Sequence, residues 1–420
     1  MTTLSKLLAS LLPVMSVASA ANAESFCYDG IIYNVTSDST CEVGRQTPDD
    51  INGDVALPAV AVDEDGKSYV LTAVSNFAFV TCASLTQVSI PETVETVGNS
   101  SFSKCASLKV VRFLGTPVSV GSNCFSESES IAEVYTPTLE SWISTDFKDA
   151  SASPLNYGAT LFNSEGIPVD CSVIPDGTVR IGNYSLSNMK TLETVTIPES
   201  IAEIGTGAFT GTPVKYVNIT SLAAWAEITF GNYTANPLYA GAVIVIYGKE
   251  VTNLDIPYGV TSISNYAFMN YKVAETITVP ASVKAIGIQA FSGCTAARSL
   301  SIGEGVASIG MNAFQNIDFK TVRSYAVNPP ELARNSFSEN TYSTAILTVP
   351  QGSLDAYMAA SQWKKFQSIE EEATTGIGSV VGDDAGEVIY YNLAGQKIDN
   401  PSAGTYIRSH GGRNVKVIIR

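Results

Sequence analysis

Very few side chains in this sequence have the types and spacing that catalysis requires. The only histidine is His410, in a glycine-rich turn near the C-terminus. Without a second histidine the chain offers no Ser-His or Cys-His pair away from this turn and no histidine-based metal site. Carboxylates are common, but no pair of them stands in an unusual context that would suggest glycoside chemistry.

Residues 61–68 contain two partial loop motifs. Gly66-Lys67-Ser68 matches the end of a phosphate-binding loop, but the first glycine of that motif would fall at Ala61, and no helix follows. Asp63, Asp65 and the same glycine resemble part of a calcium-binding loop, but the first and last ligands of such a loop are missing. We interpret the segment as a hairpin turn. The sequence therefore predicts no enzyme, no cofactor and no metal site.

Charge and hydropathy restrict the partners and the compartment. Acidic residues outnumber basic ones 40 to 24, for a net charge of -16, and no basic stripe of the kind that binds nucleic acid is present. Lys6, the apolar stretch from Leu7 to Val17 and Ala21-Asn22-Ala23 together have the organisation of a signal peptide, residues 1–23. No later segment has the ~20 apolar residues of a membrane span. We expect a secreted or surface-attached (outer-membrane) protein without a transmembrane helix.

What organises the chain is a short pattern that recurs nine times. Each copy has an aromatic or leucine anchor, preceded directly by Ala, Ser or Cys, and within each run the spacing is 23 residues. The anchors are Phe79, Phe102, Phe125, Leu186, Phe209, Phe268, Phe291, Phe314 and Phe337. A fixed period in the twenties is typical of a leucine-rich-repeat solenoid, in which each copy is one right-handed coil.

The residue types inside each copy predict the local structure of a coil. Segments such as Leu85-x-x-Val88-x-Ile90-Pro91 alternate apolar and polar residues, which predicts a short strand that the proline ends. Gly98 and its counterparts stand four residues before the anchor, where we expect a turn that needs the backbone angles open to glycine. The fold class is thus a β-rich α/β solenoid with short strands, turns and short helical inserts.

The domain boundaries follow from where the pattern begins, pauses and ends. We predict an N-terminal cap over 24–70, the solenoid over 71–370 and a C-terminal cap over 345–370. Two inserts, 138–172 and 221–253, carry Trp142 and Trp225 on equivalent short helices, where we expect the rings to pack on the coil below. We further expect a flexible linker over 371–387 and a separate small β module over 388–420.

Seven cysteines are few for a disulfide scaffold. Cys82, Cys105 and Cys294 each follow an anchor by three residues, which predicts buried thiols, although Cys82 and Cys105 lie on adjacent coils and a disulfide between them is an alternative. Cys27 and Cys41, outside the repeats, are the better disulfide candidates, and closing that loop would stabilise the fold by about 3 kcal/mol.

The repeat resembles the BspA-like leucine-rich repeat family. The resemblance rests on Ile286-Gly287-x-x-Ala290-Phe291-Ser292-Gly293-Cys294, on the insert motif Asn236-Pro237-Leu238 and on the ending from Val349-Pro350-Gln351-Gly352-Ser353 to Trp363. It covers nearly all of residues 24–370, and the tail from Tyr391 to Ile407 is similar to C-terminal sorting modules of secreted bacterial proteins. The resemblance implies a surface or secreted protein of adhesion type, and it carries no invariant binding residue.

Side chains between the buried strand positions form the candidate binding face. They mix both charge signs with two tyrosines, in a strip that we expect to be continuous and to bind a macromolecule, such as a host matrix or cell-surface protein or glycoprotein. The candidates are Lys109, Arg112, Tyr135, Glu193, Lys215, Tyr216, Glu275, Arg298, Lys320 and Arg323. A carbohydrate-binding accessory protein, favoured if Tyr157 and Tyr239 present parallel exposed rings, and a structural envelope component are the alternatives.

Overall fold

A computed structural model describes residues 24–372, 388–392, 396–410 and 413–419 of the chain. The predicted signal peptide lies outside the described residues, as do residues 373–387 of the predicted linker. Within the described chain the repeats form a stack of coils, and each coil contributes one longer strand and one two-residue strand to separate parallel ladders. The fold class expected from the sequence, a β-rich leucine-rich-repeat solenoid, is confirmed.

The longer strands form three separate sheets, which we name the first, middle and last sheets. In spatial order the first sheet contains Gly53–Ala56, Leu85–Ile90, Val110–Phe113, Glu133–Tyr135 and Thr160–Phe162. The middle sheet contains Thr194–Thr196, Tyr216–Ile219, Val243–Ile246 and the antiparallel edge strand Lys249–Glu250. The last sheet begins with Asn253–Asp255, Thr276–Val279, Ser299–Ile302, Thr321–Ser324, Ile346–Val349 and Ser368–Glu371.

The two-residue strands form ladders on the other side of the core. The first ladder contains Thr96–Val97, Ser119–Val120 and Asp146–Phe147, the second Arg180–Ile181, Glu203–Ile204 and Thr229–Phe230, and the third Ser262–Ile263, Ala285–Ile286, Ser308–Ile309 and Glu331–Leu332. In every one of them the second residue is buried or nearly so and the first faces outward. One contiguous apolar core therefore runs along the axis of the stack.

The aromatic anchors stack on one another inside that core. Ring centroids of Phe79 and Phe102 are 5.2 Å apart at 7°, and those of Phe291 lie 5.2 Å from Phe268 and 5.4 Å from Phe314. Backbone hydrogen bonds continue the stack, since the Phe268 N–H donates to the Ala290 carbonyl at 2.7 Å. The small residue that recurs directly before each anchor allows the backbones of successive coils to come this close.

The repeated glycine has a different role from the one predicted. Gly98 and Gly287 do not have positive φ angles. Instead, a Cβ built on Gly98 would lie 2.5 Å from the backbone nitrogen of Asn76, and one on Gly287 the same distance from that of Asn265. The glycine is needed because the backbone of the preceding coil passes against its α-carbon. Positive φ falls two residues before and after the anchor, mostly on other residue types, for example at Gln289.

The N-terminal segment forms strands that continue the first short ladder. These are Ser25–Tyr28, Ile31–Val35, Thr40–Val43, Val60–Val62 and Ser68–Val74, with a 3-10 turn at Pro48–Asp50. Tyr33 and Leu71 are completely buried, so this segment covers the apolar end of the first coil.

The predicted disulfide between Cys27 and Cys41 is wrong. Both cysteines are free thiols, Cys27 exposed and Cys41 buried. Cys27 pairs with Ile32 and Cys41 with Val35, on opposite sides of the intervening strand. Two strand spacings, with the three-residue offset from Ile32 to Val35, put the α-carbons roughly 14 Å apart, beyond the ~7 Å limit for a disulfide. The alternative pair, Cys82 and Cys105, is also unbonded.

Thiol reactivity provides a direct check. Burial raises the pKa of Cys41 and of Cys82 to about 11, and that of Cys105 and of Cys171 to about 12, while Cys124 and Cys294 are also buried. Because the thiolate is the reactive form, iodoacetamide at pH 8 should label only Cys27 in the folded protein and all seven cysteines after denaturation. Rapid labelling of a second cysteine in the native state would contradict the packing described above.

Each insert contains one short helix followed by 3-10 turns and a hairpin. The helices are Leu139–Ser144 and Leu222–Glu227; the turns are Ala150–Ala152, Pro154–Tyr157, Tyr233–Ala235 and Pro237–Ala240. Thr138 and Ser221 cap the helices, each accepting a hydrogen bond at 3.1 Å from a backbone N–H in the first turn. The hairpin of the second insert pairs Val245 with Glu250.

Both insert tryptophans pack inside the core. Trp142 donates its indole N–H to the carbonyl of Ser185 at 2.6 Å, and Trp225 donates to that of Ala267 at 2.8 Å. Each of these carbonyls belongs to the residue directly before the next anchor. Between regular coils that carbonyl accepts a hydrogen bond from the backbone N–H of the preceding anchor, as Ala290 does from Phe268. The tryptophan thus replaces a backbone donor where the ladder of coils is interrupted.

The C-terminal cap closes the other end of the core with aromatic side chains. It is built from the helices Glu339–Thr344 and Leu354–Ala359 and the 3-10 turn Trp363–Lys365. Tyr357, Trp363 and Phe366 are buried, and Trp363 packs against Tyr357 at 5.2 Å between ring centroids. The last anchor, Phe337, is covered by Trp363 and Phe366.

The sequence predicts a separate C-terminal β module, but the described C-terminal strands belong to the last sheet. Arg413–Ile419, Gly404–His410, Ile389–Tyr391 and Lys397–Ile398 extend the last sheet in that spatial order. Arg413–Ile419 pairs antiparallel with Ser368–Glu371, and Arg408 forms an ion pair of 2.8 Å with the buried Glu370. Burial raises the pKa of Glu370, and the Arg408 guanidinium opposes that shift. The predicted turns Ala394-Gly395 and Gly411-Gly412 lie outside the described residues.

Candidate functional site: the outward strand face

Most of the predicted site residues lie in one column at the start of the longer strands. Each stands directly before its strand, with its side chain exposed. The column consists of Lys109, Glu193, Lys215, Glu275, Arg298 and Lys320. Glu193 and Lys215 form an ion pair of 2.9 Å, which contributes little to stability because both groups are exposed to water. The column is therefore a row of solvated, charged side chains that a partner can contact.

The other predicted residues occupy the outward positions within the strands. Tyr216 of the middle sheet and Arg323 of the last sheet are exposed. Arg112 and Tyr135 are half-buried because they contact each other. The Arg112 guanidinium carbon lies 3.5 Å from the centroid of the Tyr135 ring, which stacks in turn on Phe162 at 5.2 Å. Tyr135 is further held by a 2.8 Å hydrogen bond that it donates to Glu133.

The strip is not continuous, contrary to the expectation from the sequence. The first, middle and last sheets are separate hydrogen-bonded units, and the breaks fall at the hairpins of the two inserts. The strand-like segment at Val173 pairs with Thr196 of the middle sheet and not with the first sheet. A partner that contacts the whole face would thus meet three surfaces.

A groove of about 870 Å³ crosses the middle sheet at the carboxyl ends of its strands. Its floor includes one row of side chains in register across the segment at Val173 and three neighbouring strands: Val173, Thr196, Asn218 and Val245. In the first sheet the corresponding row contains Arg112, Tyr135 and Phe162, whose stacked side chains fill that space. We call this feature the middle-sheet groove.

One wall of the middle-sheet groove is formed by Tyr247, which is not among the residues predicted from the sequence. Tyr247, at the tip of the second insert's hairpin, is 83% exposed, and it lines the groove together with Gly248. Asp176 and Glu199 line it from the turns that follow two of the strands. A Tyr-Gly pair between two short strands was the available signal, but only the register of the sheets shows what the hairpin faces.

The rings that would favour a carbohydrate ligand are not arranged for one. Tyr157 is half-buried against the core, and Tyr239 packs on Tyr233 at a tilt of 59° and a centroid distance of 4.8 Å. Tyr157 and Tyr239 therefore do not offer the parallel exposed pair that the carbohydrate alternative requires.

The described residues contain neither a metal-binding cluster nor a membrane-spanning helix. No group of three His, Cys, Asp or Glu side chains there is placed to hold a metal ion. Nor does any helix in the described part of the chain have the length and apolar character to cross a membrane.

Comparison with known proteins gives a family match. A family model described as the BspA type leucine rich repeat region matches six copies, over residues 70–152, 158–236 and 245–352. None of the curated proteins matches the chain.

Several solved structures are similar to this chain at low identity. A leucine rich cell surface protein from Faecalibacterium prausnitzii is 19% identical, with 83% of this chain and 98% of that chain covered and a TM-score of 0.40. A leucine-rich repeat protein from Bacteroides ovatus is 18% identical, with 79% and 96% covered and a TM-score of 0.37. The pneumococcal vaccine antigen PcpA is 15% identical, with 81% and 97% covered and a TM-score of 0.38. Likeness at this level identifies no ligand.

Proposed function

The chain belongs to the BspA-type leucine-rich repeat family, and from that premise we propose that it is a non-catalytic protein that binds another protein through its outward strand face. The observation that carries the proposal is the column of exposed charges with Tyr216 beside it, at the start of the parallel strands of the three sheets. A surface of this kind binds partners without large rearrangement, so little conformational entropy is lost on association.

We further propose that the partner is extracellular and that the role is of adhesion type. The N-terminal sequence has the organisation of a signal peptide, which supports export. The net charge of -16 disfavours nucleic acid and anionic membranes as partners, because like charges repel. Host matrix proteins and cell-surface glycoproteins are the partner class we favour.

A binding screen tests the proposal. The purified protein would be immobilised and exposed to matrix proteins, mucins and glycans at concentrations up to the high micromolar range. We expect saturable binding to at least one protein or glycoprotein. Absence of binding across the panel, or binding to free glycans alone, would count against a protein-binding function.

A further inference from the structure

We propose that the middle-sheet groove binds an extended polypeptide segment through a lysine or arginine side chain of that segment. The inference deepens the proposed function and rests on it, because it assigns a partner chemistry to one part of the strand face. Three independent features of the groove support it: its uncompensated charge, its exposed aromatic wall and its dimensions.

The charge in the groove is negative and uncompensated. Asp176 and Glu199 line it, and no lysine, arginine or histidine does. Within the described chain neither carboxylate forms an ion pair, and Glu199 accepts a 2.6 Å hydrogen bond from the Thr220 hydroxyl. A cationic side chain would therefore find two carboxylates that no resident cation neutralises.

Tyr247, which lines the groove, has an unfavourable backbone conformation. Tyr247 and Gly248 both have positive φ, 50° and 76°, in the two-residue turn that pairs Ile246 with Lys249. Such turns favour asparagine or glycine at both positions, so a tyrosine there is strained. Its ring makes no hydrogen bond or ring contact with another described residue. The ring lines the same groove as the two carboxylates, and an exposed aromatic ring also attracts cations.

The dimensions suit a short extended segment. The row from Val173 to Val245 spans three strand spacings, about 14 Å, which corresponds to roughly four extended residues. Val173 is exposed and Val245 is half-buried, so these two side chains provide apolar surface for residues that flank the cation.

The test uses three pools of fluorescein-labelled octapeptides that differ in one fixed central residue, lysine, glutamate or glutamine. Binding of the whole protein is measured by fluorescence anisotropy at low and at physiological ionic strength. We expect the lysine pool to bind at least about fivefold more tightly than the glutamate pool. The preference should weaken with salt, because screening reduces attraction between exposed charges.

Variants separate the groove from the fold. Tyr247→Asn replaces the ring with the residue that the turn prefers, so the thermal midpoint should hold or rise while lysine-pool binding falls about fivefold or more. Glu199→Gln and Asp176→Asn should each weaken the same binding. Tyr258→Asn is the matched control, because Tyr258 is also 83% exposed but does not line the groove.

The outcomes distinguish this inference from the proposed function. Equal binding of the lysine and glutamate pools, or lysine-pool binding unchanged in all three groove variants, would overturn the groove assignment. If the groove variants still bind a protein found in the screen as tightly as the wild type and no peptide pool binds, the proposed function stands and this inference falls. Binding of neutral oligosaccharides in place of peptides would also overturn it.

Discussion

Replacing Phe291 with alanine should destabilise the protein by about 3–5 kcal/mol, the largest effect that we expect from a single substitution. Phe291 is completely buried, and its ring is stacked at 5.2 and 5.4 Å between Phe268 and Phe314. Removing the ring leaves a cavity that neighbouring coils cannot fill, because their backbones are fixed to each other by hydrogen bonds. Urea denaturation followed by circular dichroism would measure the shift in midpoint.

Phe291→Leu is the matched control. Leucine is the natural anchor at Leu186, so the position accepts a smaller apolar side chain within the same coil geometry. We expect Phe291→Leu to reduce the stability by well under half of the reduction caused by Phe291→Ala. If Phe291→Ala left the midpoint unchanged, the stack of anchors would not be what stabilises the solenoid.

Replacing Gly287 with alanine should cost about 3 kcal/mol, although only one methyl group is added. The new Cβ would lie 2.5 Å from the backbone nitrogen of Asn265 and 2.7 Å from its side-chain oxygen, which carries a hydrogen bond from the Ile288 N–H. Backbone atoms cannot rotate away as a flexible side chain can, so the two coils must separate. The midpoint of thermal unfolding measures the loss.

Ser264→Ala is the control for this substitution. Ser264 holds the same position, four residues before its anchor, in the first coil after the second insert, and the chain accommodates a side chain there. We expect a change within about 0.5 kcal/mol. A Gly287→Ala protein as stable as the Ser264→Ala protein would contradict the close approach of the coils.

The sequence predicts the coil well because the determinants of a coil are local and repeated. A 23-residue period at Phe79, Phe102 and Phe125 can only place the rings in equivalent environments, and alternation around Val88 specifies which strand face is buried. The small residue before each anchor likewise predicts close packing. These features need no knowledge of distant contacts.

The errors concern contacts between segments that no period specifies. Cys27 and Cys41 are close in sequence, but a strand lies between them. A glycine at position 287 could be required by a positive φ angle or by close approach of the neighbouring backbone. The sequence alone does not distinguish these two explanations. The docking of Arg413–Ile419 on Ser368–Glu371 depends on the free edge of the last sheet.

The candidate site was only partly predictable for the same reason. Strand alternation predicts that Tyr216 faces outward, and Tyr216 is exposed, as is Lys215 directly before the strand. It does not show that Arg112 and Tyr135 contact each other, or that Tyr247 lines the middle-sheet groove. Both facts depend on the register between coils, which the inserts shift.

The central claim, that a protein partner binds the outward strand face, is tested most directly by two matched triple-serine variants and the partner found in the binding screen. One variant changes exposed residues of the strand face, and the other changes exposed residues in or next to the short ladders on the opposite side. The face variant replaces Tyr216, Glu275 and Arg323; the control replaces Thr96, Lys148 and Glu331. Surface plasmon resonance should show at least a tenfold weaker affinity for the face variant and an unchanged affinity for the control. The reverse result, with binding lost in the control and kept in the face variant, would contradict the account.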